Sequence, residues 1–270
     1  MQNEAIDISV AEFGAFRDLI YKIAGISLAP AKRELVRGRL AKRLKHHGLK
    51  SYKEYFGLLS APMHRTELQI AVDLLTTNET YFYREPKHFD FLREKILTAH
   101  PRGVQFRVWS AASSSGEEPY TIAMELADSL GDAPWEIVGS DLSSRVLERA
   151  KSGHYAMERA RNIPDAMLRR YCLKGVGEQD GTFLLSPSLT RRVKFLQINL
   201  NETLPNIGMF DVVFLRNVMI YFDADTKRAV VARVGAALKP GGYLFVSHSE
   251  SLNGVSEAFK MLTPSVYRKA

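Results

Sequence analysis

The sequence predicts an α/β domain with a mostly parallel sheet, preceded by a small domain made only of helices. Residues 1–75 contain helical patterns separated by short breaks of Gly, Pro or Ser. From residue 87 onward, short β-branched runs alternate with amphipathic helices. This alternation is typical of parallel strands covered by helices on both faces. We therefore predict a Rossmann-like α/β domain over residues 87–270, after a helical domain over residues 1–75.

Length and composition are those of an ordinary globular protein. The 270 residues are 46% apolar and 25% charged, and no run approaches the roughly 20 apolar residues that span a bilayer. The N-terminus lacks the basic and apolar regions of a signal peptide, so we expect a cytoplasmic protein without membrane insertion. The single cysteine, Cys172, excludes an internal disulfide framework and a cysteine-rich metal centre. The histidines show no common metal-ligand spacing, so we expect no metal.

Four helical patterns make up the N-terminal region: AEFGAFRDLIYKIAG, the basic segment 31–50, SYKEYFGLLS and MHRTELQIAVDLLT. The basic segment accounts for the whole net charge of +7, because it holds eight basic residues and one acid. On a helix, Lys32, Arg39 and Arg43 would fall within about 40° of one another and form a positive stripe, with His46 beside them. The stripe is either a solvated helix face or a docking surface for an acidic partner.

A change of pattern follows at residues 76–86, TTNETYFYREP, a polar and aromatic stretch that ends at a proline and is typical of a linker. Next come helix HFDFLREKILTAH, strand VQFRVW, helix EPYTIAMELADSL, strand EIVGSD and helix SRVLERAKSG. Strands VKFLQIN, FDVVFLRN and GYLFVSHS come later, with helix DTKRAVVARVGAAL between the last two. Glycines at 175, 177 and 181 predict a small β-hairpin or three-stranded flap inserted over residues 172–192.

Candidate ligand residues follow the predicted strands, because a parallel sheet binds ligands at the carboxyl ends of its strands, near the point where strand order reverses. The loop SAASSSGEE follows the first strand, Asp141 ends the second, Asn199 follows the third, and Arg216-Asn217 follow the fourth. An acid at the end of the second strand is placed to accept hydrogen bonds from the two hydroxyls of a ribose. The alternative for Asp141 is an N-cap of the next helix.

The loop after the first strand is rich in small residues, but it ends in two glutamates. Glu117 and Glu118 stand where the pyrophosphate of a dinucleotide would need positive charge. A cofactor with a ribose and a cationic remainder fits better, and S-adenosylmethionine has a sulfonium, an ammonium and no phosphate. The alternative for the glutamates is favourable charge in the first turn of a helix.

Five segments resemble, in order, those of the CheR-type chemotaxis receptor methyltransferases: TTNETYFYRE (76–85), RVWSAASSSGEEPYTIAM (107–124), SDLSSRVLERAKSGHY (140–155), FDVVFLRNVMIYFD (210–223) and LKPGGYLFVSHSESL (238–252). The resemblance implies an S-adenosylmethionine-dependent methyltransferase domain of Rossmann-like fold with an inserted small β-subdomain. It implies methyl transfer to glutamate side chains on the cytoplasmic helices of membrane chemoreceptors. The products would be glutamyl methyl esters, which serve chemotactic adaptation, and S-adenosylhomocysteine.

The resemblance also assigns site residues by position. Cofactor contacts would come from the linker and the strand ends, through Asn78, Thr80, Arg84, Glu118, Asp141, Asn199, Leu200, Arg216 and Asn217. Arg84 and Tyr221 resemble the pair beside the transferred methyl group, although the run VMIYF alone would make Tyr221 a half-buried aromatic.

The same resemblance implies partners. It favours docking of glutamate-rich receptor helices on the positive stripe over a solvated helix face. Gly175, Gly177 and Gly181 match the glycine spacing of relatives that grip a C-terminal receptor peptide by adding it to a sheet edge, although turn chemistry alone explains glycines there. A monomer recruited to membrane receptor arrays is the implied state.

Three other functions share parts of this pattern. A nucleic-acid methyltransferase would have the same fold, but RNVMIYF stands where amino-methylating enzymes carry D/N-P-P-Y/F after the fourth strand, so we expect no nucleic-acid partner. A small-molecule methyltransferase would leave the helical domain and the flap without a role. A non-catalytic S-adenosylmethionine-binding adaptor would not need Arg84 and Tyr221.

Overall fold

The computed structural model describes residues 6–270, which form two compact units. The smaller unit runs to Thr77 and also includes Tyr221–Thr226; the larger one contains Asn78–Ile220 and Lys227–Ala270. Residues 1–5, where the predicted helical domain and the segment considered for a signal peptide begin, lie outside the described residues. No helix of the described part is long and apolar enough to cross a membrane.

Four α-helices form the smaller unit: α1 (Val10–Ala24), α2 (Arg33–His46), α3 (Tyr52–Ser60) and α4 (Arg65–Leu75), with 3₁₀ turns at Pro30–Lys32 and Pro62–His64. Helix α1 begins with a capping box, in which the side chain of Ser9 accepts from the Glu12 N–H and the Glu12 carboxylate accepts from the Ser9 N–H. It ends at Gly25, whose φ of 71° is left-handed. These local signals explain why the sequence predicts the helix closely.

Aromatic rings fill the core of the smaller unit. The ring of Phe16 on α1 lies 6.3 Å from that of Tyr52, 6.2 Å from that of Tyr55 and 5.6 Å from that of Phe56, all on α3. The segment Tyr221–Thr226 joins this unit through the loop after α1. The Ser27 N–H donates to the Tyr221 carbonyl at 2.8 Å, and the Tyr21 hydroxyl donates to the Asp223 carboxylate at 2.7 Å.

The larger unit has ten strands: β1 (Phe106–Ala111), β2 (Trp135–Asp141), β3 (His154–Ala156), β4 (Cys172–Lys174), β5 (Thr182–Leu185), β6 (Val193–Gln197), β7 (Phe210–Phe214), β8 (Leu238–Phe245), β9 (Phe259–Thr263) and β10 (Val266–Lys269). Its helices are α5 (Lys87–Phe91), which continues as a π-helix over Leu92–Leu97, then α6 (Glu117–Leu130), α7 (Ser144–Ser152), α8 (Asp165–Tyr171), α9 (Pro187–Thr190) and α10 (Ala224–Ala236), whose first residues belong to the smaller unit. Short 3₁₀ segments lie at Met157–Asn162, Gly177–Gln179 and Met219–Tyr221.

Seven strands form the main sheet in the order β6-β2-β1-β7-β8-β10-β9. The first five are parallel, whereas β10 pairs antiparallel with both β8 and β9. Strand order reverses at β1, which has β2 on one side and β7 on the other. A separate antiparallel sheet, β3-β5-β4, is inserted between α7 and β6. The predicted fold class is therefore confirmed. The inserted sheet is wider than the predicted bounds of 172–192, because its edge strand β3 lies at His154–Ala156, and the β9–β10 hairpin is absent from the prediction.

The end of the linker is anchored to the sheet by stacked rings. Phe89 on α5 stacks on Phe214 of β7 with ring centroids 6.0 Å apart, and Phe214 stacks on Phe245 of β8 at 4.5 Å. All three side chains are buried. Because β7 and β8 end at the edge where ligands bind, this stack holds the linker beside that edge.

Candidate active site

The small-residue loop after β1 is tight because α7 and β3 approach it closely. Gly116 has a left-handed φ of 96°, and a Cβ there would lie 2.8 Å from the Tyr155 hydroxyl oxygen and 2.9 Å from the Ala150 Cβ. Ser114 in the same loop has a φ of 48°, unusual for a residue other than glycine. Such backbone strain is commonly kept where it serves a site.

Asp141, at the end of β2, fixes this loop. One carboxylate oxygen accepts from the Ser114 N–H and the other from the Ser143 N–H, both at 2.9 Å. Ser143, not Asp141, is the N-cap residue of α7. These bonds fix the orientation of the carboxylate at the end of β2, the position predicted to bind a ribose.

The two glutamates that open α6 have different environments. Glu117 is fully buried, accepts from the Ser115 hydroxyl at 2.7 Å, and pairs with Arg159. Glu118 keeps 14% of its side chain exposed and accepts from the Ser110 hydroxyl at 2.7 Å and from Arg216 at 2.8 Å. Burial raises the pKa of the Glu118 carboxyl, while Arg216 and Ser110 act in the opposite direction. Glu118 is therefore the one of the two that retains surface for a ligand.

Arg216 is the buried cation that joins the linker to α6. Beyond its bond to Glu118, it donates to the Arg84 carbonyl at 2.5 Å and lies 3.2 Å from the Glu85 carboxylate. Its side chain is only 1% exposed. Its Nε is buried and has no hydrogen-bond partner among the described residues. The sequence predicted Arg216 at the site, but not that two carboxylates would share it.

The linker lies along this network. The Asn78 carbonyl accepts from the Ser114 hydroxyl at 2.7 Å, and the Thr80 carbonyl accepts from Arg159 at 3.1 Å. The guanidinium of Arg84 donates to the Glu79 carbonyl at 3.0 Å and lies 5.5 Å from the centre of the Tyr81 ring. The structure thus brings Asn78 to the loop that also contacts Asp141, joins Thr80 to it through Arg159, which pairs with Glu117, and leaves the Arg84 guanidinium on the linker.

The loop after β6 is tied to β2 by the Ile198 N–H, which donates to the Asp141 carbonyl at 3.1 Å. The Asn199 side chain makes local bonds, accepting from the Asn201 N–H and donating to the Glu202 carboxylate, both at 3.0 Å. Leu200 is 9% exposed. The bond from Ile198 brings the start of this loop to the end of β2, and Asn199 and Leu200 stay predicted cofactor contacts.

Two glutamates that hold predicted site residues in place, Glu250 and Glu85, are not among the residues that the sequence predicts. Asn217, with a φ of 57°, is held by Glu250, whose carboxylate accepts from the N–H groups of Asn217, Ile220 and Ser247. Glu85 pairs with Arg216 and contacts His88. Glu85 and Glu250 both lie in segments that carry the resemblance. Neither follows the end of a predicted strand, so the position of ligand sites in parallel sheets does not predict them.

Of the predicted site residues, Tyr221 differs in placement. It ends the 3₁₀ segment Met219–Tyr221 and belongs to the smaller unit, whereas the predicted cofactor residues all belong to the larger one.

The predicted positive stripe is altered by internal contacts. Lys32 is exposed but lies in the 3₁₀ turn before α2. Arg39 donates to the carbonyls of Leu75 and Thr76, and Arg43 pairs with the buried carboxylate of Glu67. Arg39 and Arg43 therefore stabilise the helical unit, and the exposed basic side chains of α2 are instead Lys42, Lys45 and His46.

The glycines of the inserted sheet all have local conformational reasons. A Cβ on Gly175 would lie 1.9 Å from the Gln179 carbonyl oxygen, and Gly177 and Gly181 have left-handed φ values of 59° and 78°. Turn chemistry thus accounts for their identity. Hydrophobic side chains around the loop are nevertheless open to solvent, with Leu173 at 54% and Val176 at 78% exposure.

The site fits a ligand with a ribose and a cationic remainder. A carboxylate stands at the end of β2, a second one on α6 keeps exposed surface, and the loop between them is closed to bulkier residues by Tyr155 and Ala150. Because Glu118 is paired with Arg216, its attraction for a cationic ligand is weaker than that of the unpaired carboxylate that the sequence predicts. These features and the reversal of strand order at β1 agree with an S-adenosylmethionine-dependent methyltransferase, the class that comparison with known families shows.

Comparison with known proteins gives the family. Residues 78–268 match the CheR methyltransferase, SAM binding domain, and residues 11–76 match the CheR methyltransferase, all-alpha domain. The chain therefore belongs to the CheR methyltransferase family. It is 42% identical over 269 residues to the chemotaxis protein methyltransferase of Escherichia coli (strain K12), covering 98% of this chain and 92% of that protein. Chemotaxis protein methyltransferase 2 of Pseudomonas aeruginosa is 39% identical over 271 residues, covering 99% of this chain and 96% of the relative.

Proposed function

We propose that this methyltransferase of chemotaxis transfers the methyl group of S-adenosylmethionine to glutamate side chains of membrane chemoreceptors. The observation that carries the proposal is one network: Arg84 lies in the linker, its carbonyl is bonded to Arg216, and Arg216 is paired with Glu118 of the cofactor site. The backbone of Arg84 is thereby fixed to these residues, and its guanidinium, held by the Glu79 carbonyl, could hold an acceptor carboxylate.

The acceptor needs positioning rather than activation. A glutamate side chain is ionised near neutral pH and is already a nucleophile, so no general base is required. S-Adenosylmethionine supplies an electrophilic methyl group, whose C–S bond breaks as the carboxylate oxygen forms the new O–C bond. The protein has to desolvate the carboxylate and align it. In this proposal Arg84 holds the second carboxylate oxygen by a charge-assisted hydrogen bond, and the Tyr221 hydroxyl adds a donor.

Replacing Arg84 by alanine is expected to lower kcat for methyl transfer by about 10²-fold, because the acceptor carboxylate loses its alignment. Arg84→Lys keeps the charge but loses the planar fork, so its kcat should fall between those of the alanine variant and the native protein. Rates are measured with a saturating receptor substrate, and the Kd for S-adenosylmethionine is measured by calorimetry. A loss confined to cofactor affinity, with kcat unchanged, would remove Arg84 from the catalytic role.

The acceptor class is tested with radiolabelled S-adenosylmethionine and membranes that contain chemoreceptors. We expect label on the receptor band that mild alkali releases as volatile methanol, which identifies a carboxyl methyl ester. Alkali-stable label, or tight cofactor binding without any label on receptors, would favour an amine or a small molecule as the acceptor.

We further propose that a C-terminal receptor peptide adds to the edge strand β4 and tethers the enzyme. Within the described sheet β3-β5-β4, β4 is an edge. The Gly175 N–H donates to Thr182 of β5 at 2.9 Å, and successive residues of a strand direct their backbone groups to opposite sides, so the N–H of Lys174 faces away from β5. The exposed Leu173 and Val176 could contact the peptide's side chains.

Lys174→Pro tests this edge, because proline removes the outward N–H without taking a bond from β5. We expect loss of binding to a synthetic peptide of the last residues of a chemoreceptor, with the Kd for S-adenosylmethionine unchanged. Lys174→Ala is the matched control, since it removes the charge but keeps the N–H. Equal peptide affinity in the proline and alanine variants would contradict addition at this edge.

The exposed part of α2 supports a second contact with the receptor. Lys42, Lys45 and His46 remain open to solvent after Arg39 and Arg43 are engaged. We propose that Lys32 and these residues attract glutamate-rich receptor helices, with Arg39 and Arg43 shaping the helix rather than meeting the partner.

A further inference from the structure

Three side chains with metal-binding atoms meet where the linker ends. One ligand atom from each of Glu85, His88 and His248 lies within 4.8 Å of the other two. Oε2 of Glu85 lies 3.4 Å from Nδ1 of His88 and 4.0 Å from Nε2 of His248. The sequence predicted no metal, because His248 follows β8 and is far from Glu85 and His88 in the chain.

The Ser265 hydroxyl lies between one ring nitrogen of His88 and one of His248. Its oxygen lies 2.6 Å from Nε2 of His88 and 3.1 Å from Nδ1 of His248. When its hydroxyl donates to the Pro264 carbonyl, 2.6 Å away, the oxygen can accept from both rings. In that arrangement the opposite nitrogens, Nδ1 of His88 and Nε2 of His248, are unprotonated in the neutral rings. Both of these lone pairs are on the side of Glu85.

A carboxylate oxygen of Glu85 and ring nitrogens of His88 and His248 therefore surround one small space. His88 is 1% exposed, and its Nδ1 has no hydrogen-bond partner within the described part of the chain. A buried nitrogen that faces a carboxylate without a hydrogen between them is unfavourable, unless a cation lies between the two atoms.

We propose that Glu85, His88 and His248 bind one divalent transition-metal ion of the zinc type. One carboxylate and two imidazoles suit Zn²⁺ or Co²⁺ better than Mg²⁺ or Ca²⁺. Bonds of about 2.0–2.1 Å in tetrahedral geometry separate ligand atoms by roughly 3.3 Å, close to the 3.4 Å between Glu85 and His88. His248, with 47% of its side chain exposed, has room to close the longer distance.

The surroundings have the supports that a metal site needs. Ser265 holds both imidazoles from behind, as outer partners of metal-bound histidines do. The Glu85 carboxylate also accepts from the backbone N–H of His248 at 3.3 Å. Arg216 lies 3.2 Å from Glu85 and opposes a cation, but its charge is shared with Glu118 at 2.8 Å. The ion would fasten the linker to the loop after β8.

The test uses the untagged, chelator-treated protein titrated with Co²⁺ and, separately, with Zn²⁺. We expect one equivalent of Co²⁺ to give the visible absorption of a four-coordinate site, and one equivalent of Zn²⁺ to give saturable heat in calorimetry. His248→Gln should weaken Zn²⁺ binding by at least about tenfold, because one ligand is lost. Its exposed position makes misfolding an inadequate explanation for such a loss.

His46→Gln is the matched control, since His46 is also exposed and adjoins another histidine. It should bind Zn²⁺ as the native protein does. Absence of saturable binding to the native protein, or equal affinity in His248→Gln, would overturn the proposal. The Kd for S-adenosylmethionine, measured on the same samples, reports separately on the cofactor site, so failure of the metal proposal would not be confused with failure of methyl transfer.

Discussion

Replacing Arg216 by glutamine is expected to abolish cofactor binding and to destabilise the larger unit by about 3–5 kcal/mol. The guanidinium is buried and lies between the carboxylates of Glu118 and Glu85. Without it, two carboxylates remain close to each other in a poorly solvated place, and the Arg84 carbonyl loses its donor. Calorimetry with S-adenosylmethionine measures the first effect, and urea unfolding followed by a reporter in the larger unit measures the second.

Two variants separate a local role from general damage. Arg161→Gln changes an exposed arginine of the same unit and should leave both the Kd and the unfolding free energy within error. The double variant Glu118→Gln/Arg216→Gln removes both charges, so it should recover part of the lost stability but not cofactor binding. If Arg216→Gln binds the cofactor as tightly as the native protein, Arg216 is not part of the cofactor site.

The sequence predicts those parts of the fold that depend on local patterns. Strands β1, β2 and β7 are buried β-branched or aromatic runs. The predicted bounds of β1 and β2 lie within two residues of the observed ones, and β7 begins at Phe210 as predicted but ends three residues earlier, at Phe214. Asp141 and Glu118 were selected because the ends of parallel strands meet at one edge of a sheet. The hairpin β9–β10 was missed because β9 alternates buried and exposed residues poorly, with Met261 and Leu262 both exposed.

Contacts between side chains that are distant in the sequence cannot be predicted from such local patterns. A helical wheel gives the direction of Arg39 and Arg43 but does not show that a carbonyl or a buried glutamate lies there. In the same way, nothing local to Glu85 indicates that Arg216 and His248 will face it. The free energy of such ion pairs depends on burial, which only the tertiary structure determines.

Replacing Glu67 by glutamine is expected to destabilise the helical unit by about 3–5 kcal/mol at neutral pH, because the partly buried Arg43 loses its counter-charge. Glu67, with 7% of its side chain exposed, accepts from Arg43 at 2.8 and 2.5 Å and from the Tyr55 hydroxyl at 2.7 Å, and it lies 3.1 Å from His47. Denaturant unfolding followed by a probe in the helical unit measures the change. Glu34→Gln, which breaks an exposed pair with Arg37 in the same unit, is the control and should cost little.

The same carboxylate gives the helical unit a defined acid sensitivity. Burial alone would raise the pKa of Glu67, but hydrogen bonds from Arg43, Tyr55 and His47 outweigh it and lower the pKa to about 2. Because the unfolded chain has a pKa near 4.3, folding favours the ionised form, and the contribution of about 3 kcal/mol is complete above about pH 5 and is lost as pH falls towards 2. The unfolding free energy of the native protein should therefore decline more steeply over this range than that of Glu67→Gln. Parallel declines in the two proteins would show that other carboxylates, and not the pair of Glu67 with Arg43, govern acid unfolding.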